Sequence, residues 1–119
     1  MFNLFNKIDN SQYGGFIVSK NITNNGKKAK YCYRDKMTKK ELNGWTILSE
    51  IDDDRYAKDP KNFEIVSATT MFKFCPFMRE LFEAPYGTDL LIQYGSGKIP
   101  FFYDMRQEKN VTLNEILKK

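Results

Sequence analysis

The sequence predicts an α+β domain with a largely antiparallel β-sheet of five to six strands and two or three short helices. Three observations predict it. Short β-rich runs recur between Gly, Asn and Pro punctuation. One aromatic stretch, TTMFKFCPFMRELFEA, carries apolar residues at mixed three- and four-residue steps, as a buried helical face does. The elements run as strand pairs, then helices, then a strand pair and a closing helix, rather than alternating one by one. A chain of 119 residues fits one domain, residues 1–119. At that size it can bury roughly two-thirds of its unfolded surface without metal or disulfide help.

In order, residues 16–23, FIVSKNIT, are β-rich and stand between Gly14-Gly15 and Asn24-Asn25-Gly26. They read as a strand that turns back into residues 29–34, AKYCYR, with Asn25-Gly26 suited to a tight hairpin. Residues 36–43 are a polar connector or a short helical turn. Residues 45–49, WTILS, form the next strand. Residues 50–60 read as a short helix or ordered loop that stops at Asp59-Pro60, because a residue before proline avoids helical geometry. Residues 63–67, FEIVS, are a fourth strand. Helices follow near 69–74 and 76–83, with Pro76 tolerated in a first turn. Pro85-Tyr86-Gly87 is a turn. Residues 88–94 and 99–105 pair through a hairpin at Gly95-Ser96-Gly97-Lys98, and Pro100 suggests an edge strand. In the tail, Thr112 with Glu115 three residues on predicts a capped final helix.

Composition excludes several chemistries. There is no histidine, so Ser-His-Asp and Cys-His sites and imidazole metal sites are ruled out. Acid–base catalysis would need a strongly shifted Glu, Asp or Lys, and the reading is that the chain is not an enzyme and needs no cofactor. Cys32 and Cys75 lack C-x-x-C spacing and read as reduced, partly buried thiols. No apolar run approaches a membrane span, and MFNLFNKIDN has neither the apolar core nor the cleavage site of a signal peptide. The expected location is the cytoplasm.

The net charge is +4, but it is unevenly spread. Residues 1–40 carry nine bases against two acids, residues 41–64 three against seven, and residues 65–119 seven against six. Lysines 27, 28, 30, 36, 39 and 40 fall mostly in turns, where lysine is ordinarily just solvated. A nucleic-acid module using these lysines, with Tyr31 and Tyr33 as stacking platforms, is the alternative reading, beside an orphan regulatory role. No basic helical stripe supports it, so nucleic acid is disfavoured.

The acidic run Glu50, Asp52, Asp53, Asp54 is the candidate site. Contiguous aspartates without the glycine of a calcium loop do not suit a metal. Gly95-Ser96-Gly97-Lys98 lacks phosphate-loop spacing. Ser49 with Asp52 three residues on resembles a helix cap, which accounts for one or two acids. A partner-facing surface accounts for the whole run, with Trp45 and Tyr56 as candidate anchors. Asparagine at 52, 53 and 54 together should then slow association and leave the thermal midpoint almost unchanged.

VSKNITNNGKKAKYCYRD, GWTILSEIDDDRYAKDPKNFEIVSATT and APYGTDL, spanning about Val18 to Leu90, resemble the bacterial immunity protein 33 family. The matching positions are Gly44, Trp45, Asp53, Asp54, Tyr56, Asp59, Pro60, Pro85 and Gly87. Glu50-Ile51 departs from the glycine-acid pair of the pattern. The resemblance implies a cytosolic antitoxin role: binding and blocking a cognate protein toxin, here through the acidic loop, with no catalytic residues.

Overall fold

The computed structural model describes residues 13–97 and 99–118. The strands are β1 Gly15–Ser19, β2 Ala29–Arg34, β3 Leu42–Ser49, β4 Phe63–Val66, β5 Asp89–Gln93, β6 Phe101–Asp104 and β7 Lys109–Val111. The helices are α1 Lys20–Thr23, α2 Asp54–Ala57, α3 Ala68–Phe74, α4 Met78–Leu81 and α5 Leu113–Leu117, with a 3-10 turn at Pro60–Asn62. The architecture is the expected α+β with a mostly antiparallel sheet. Seven strands stand in the order β4-β1-β3-β2-β5-β6-β7, one more than foreseen, and the short helices are more numerous. The extra strand is β7, a three-residue edge strand, KNV, that no β-rich run announces.

The anticipated β1–β2 hairpin does not form. β1 pairs with β3 in parallel and with β4 antiparallel, while β2 lies between β3 and β5. The local cause is Ser19. Its hydroxyl accepts from the Asn21 N–H at 3.2 Å and caps α1, which ends the strand four residues early and sends the chain across β3. β3 in turn begins at Leu42, inside the expected connector. Pro100 stands just before β6, which is internal; β7 and β4 are the edges. Lys98 and MFNLFNKIDN lie outside the described residues.

The two helices foreseen at 69–74 and 76–83 are α3 and α4. Ser67 caps α3 by accepting from Thr70 N–H at 3.4 Å. Met71, Met78 and Leu81 are fully buried against Phe16, Val18, Trp45 and Ile47. These strand residues alternate, so one face of the sheet makes the core with the helices and the other does not. The tail helix α5 has the expected capping box: Glu115 N–H donates to Thr112 Oγ at 3.1 Å, and Thr112 N–H to the Glu115 carboxylate at 2.9 Å.

Candidate partner-binding site

The acidic run begins where β3 ends. Glu50 extends the ladder with β2: its N–H donates to the Lys28 carbonyl at 2.9 Å, and its carboxylate accepts from Lys28 N–H at 3.2 Å. Ile51 follows at the tip, 55% exposed. The chain then turns back. Asp52 N–H donates to the Ser49 carbonyl at 3.2 Å. The Asp52 carboxylate accepts from the Ser49 N–H, the Ser49 hydroxyl and the Asn21 amide, each at 2.7 Å. Partial burial pushes this carboxyl up, but the bonds from Ser49 and Asn21 outweigh it and hold it below the ordinary aspartate range.

Ser49 is therefore no helix cap. The cap of α2 is Asp53, whose carboxylate accepts from Tyr56 N–H at 2.8 Å, with Asp54 in the first turn beside the positive end of the helix. Substituting all three aspartates at once would mix a loss of structure with a loss of charge, so their roles must be separated. Glu50, Asp53 and Asp54 are exposed, while Asp52 is half-buried.

The two candidate anchors are placed differently. Tyr56 is half-buried; its hydroxyl donates to the Asn62 carbonyl at 3.1 Å and accepts from the Ser19 hydroxyl at 3.2 Å, so it braces α2 against β1. Trp45 is 0% exposed, and its indole N–H donates to the Phe82 carbonyl at 2.9 Å. A side chain so enclosed cannot touch a partner while the fold is intact, and Trp45 belongs to the core. Nothing in the sequence signals that Ser19, Asn21 and Lys28 hold the turn in place, because they belong to segments far along the chain. A recess of about 240 Å³ adjoins the turn at Lys28, lined also by Ile22, Phe74, Pro76, Phe77 and Tyr94.

Among the described residues no group of three or more Cys, Asp or Glu is placed to hold a metal ion. Cys32 and Cys75 are free and buried. No helix among the described residues is long and apolar enough to cross a membrane. The family model for the immunity protein Imm33 domain matches residues 16–98, which include β1 from its second residue, β2 to β5 and the whole acidic turn. The chain belongs to the Imm33 family. No curated protein and no solved structure matches it. Immunity families are generally non-enzymatic and in general imply a toxin partner.

Proposed function

We propose that this Imm33 domain binds and neutralises a cognate protein toxin in the cytoplasm, with the turn Glu50 to Asp54 as part of its contact surface. One observation carries the reading. Ile51 stands exposed among the exposed acids Glu50, Asp53 and Asp54, on a turn that Asp52 and Asp53 hold from within. An apolar tip ringed by charge, already ordered before binding, loses little conformational entropy on association. Its negative charge suits a toxin with a basic working face and speeds encounter. Trp45 is left out of this surface; Tyr56 supports it from below.

The test takes the product of an adjacent gene as the candidate toxin. Cells making that toxin should survive only when the domain is co-produced. In purified form, the pair Glu50→Gln with Asp54→Asn should slow association about tenfold at low salt and much less at high salt, with only a small fall in thermal midpoint. Ile51→Ser should speed dissociation. Full protection and unchanged rates in all these variants would remove the turn from the interface.

A further inference from the structure

An antiparallel sheet with one covered face usually turns polar side chains outward on the other. This sheet does so only in part: Thr46, Asp89, Gln93 and Asn110 stand on that face, but apolar residues stand between them. On the face away from α3 and α4, the register sets Ile17 beside Ile65, Tyr31 beside Leu48 and Leu91, and Leu91 beside Tyr103. Leu48 is buried, at 8% exposure, and Ile17, Tyr31, Leu91 and Tyr103 are half-buried. The flanks are the most open: Ile65 is 63% and Phe101 65% exposed. Apolar surface this extended marks an interaction site far more often than bare solvent contact.

Charge narrows the partner. The chain holds 19 Lys and Arg, yet among the described residues none occupies a paired strand position on this face. The one charge at such a position is Asp89, whose carboxylate accepts from the Tyr31 hydroxyl. Lys30, exposed and unpaired at the β2 bulge, stands beside Tyr31, but one lysine is a poor seat for phosphates, so nucleic acid is disfavoured even though tyrosines are present. The plate also runs into the acidic turn. Leu48 precedes Glu50 by two residues, and the Phe63 ring, on the same face, lies 6.0 Å from the ring of Tyr56 in α2. A five-residue turn falls well short of the roughly 20–30 residues a specific interface uses on each side. Seven strands at about 4.8 Å spacing give a plate about 30 Å across, which is of the right breadth.

We infer that this sheet face is the larger part of the partner-binding surface, and that it takes a protein presenting an uncharged apolar patch bordered on one side by Lys or Arg. The inference rests on the toxin-binding reading and specifies it. Apolar plate meets apolar patch; the basic margin meets Glu50, Asp53 and Asp54.

The experiment measures binding of the same neighbouring toxin to Leu91→Arg and to Phe101→Ser, with circular dichroism to confirm folding. Phe101 is so exposed that its variant should keep the native fold. The expected result is a dissociation constant raised at least tenfold by Leu91→Arg and severalfold by Phe101→Ser, mostly through faster dissociation. Hydroxyl-radical labelling of Tyr103 and Phe101 should fall in the complex. Wild-type affinity in both folded variants, with labelling unchanged, overturns the plate and leaves the toxin-binding reading standing. No binding of the toxin by the wild-type domain overturns both. Sedimentation of the free domain as a dimer that Leu91→Arg dissolves would assign the face to a second copy, and tight low-salt binding of an oligo-dT probe lost on Tyr31→Ala would assign it to nucleic acid; either result also overturns the inference.

Discussion

The division of labour among the acids can be measured at Asp52. Its carboxylate receives three hydrogen bonds, two from Ser49 and one from Asn21, and these tie the end of β3 to α1. In Asp52→Asn one side-chain oxygen survives as an acceptor and the other position becomes an NH₂ group facing a donor. A hydrogen bond to a charged group contributes about 1.5–3 kcal/mol, and the partial exposure of the site argues for the lower part of that range. The expected loss is about 2 kcal/mol. Unfolding entropy near 2.1 cal/mol/K per residue over 119 residues amounts to about 0.25 kcal/mol/K, so the midpoint should fall about 8 °C at pH 7.

The pH dependence fixes the cause. The folded carboxyl titrates below its unfolded value, so its contribution is fully present above the unfolded range near pH 4. It is lost as pH falls through the lower folded value. Calorimetry at pH 7 and again near pH 2.5 should therefore show the gap between wild type and variant closing in acid. A gap of equal size at both pH values would mean that shape, not the charged hydrogen bonds, accounts for the loss. A midpoint change under 1 °C at pH 7 would refute the reasoning entirely.

Two further outcomes follow from local geometry. Thr112→Ala removes one half of the α5 capping box and should cost about 1 kcal/mol, read as a shift in urea midpoint at constant slope. Burial raises both thiols, Cys75 up to about 12, so neither should react with a thiol reagent at pH 8 in the native state, and labelling should track unfolding.

Much of the fold was legible because it is local. Gly, Asn and Pro bounded most strands, and the Thr112–Glu115 spacing specified a helix cap outright. The order of the strands was not legible, since pairing is decided between distant segments. Nothing near Asn24-Asn25-Gly26 says that β3 will insert between β1 and β2. The acidic run was visible as a cluster, but which carboxylate faces inward depends on Asn21, 31 residues away. The outward apolar face left a trace: Ile17, Tyr31, Leu91 and Tyr103 sit where alternation allows polar residues. It becomes a surface only once register aligns those strands.

Four of the family-matching positions, Gly44, Trp45, Pro85 and Gly87, meet away from the proposed contacts, and that separation can be tested. Arg34 of β2 donates from its guanidinium to the Asn43 carbonyl at 2.9 Å, the Phe82 carbonyl at 3.0 Å and the Ala84 carbonyl at 2.9 Å. It lies 4.6 Å from the Tyr86 ring centre and 5.9 Å from that of Trp45. Gly44 and Gly87 flank this clasp with φ of +95° and +96°; a Cβ on Gly44 would fall on the Asp35 carbonyl. Gly44-Trp45 and Pro85-x-Gly87 thus surround one arginine that joins three carbonyls from two segments. Lysine cannot reproduce a planar fork that serves three acceptors while it stacks on rings. Arg34→Lys should lose about 3 kcal/mol, near 12 °C by the same entropy scale, yet bind the toxin with wild-type rates below its own midpoint. If the variant is as stable as wild type, the clasp does not hold the fold. If it is stable but binds poorly, the shared motif lies at the interface, and the contacts belong at Tyr86 rather than at the acidic turn.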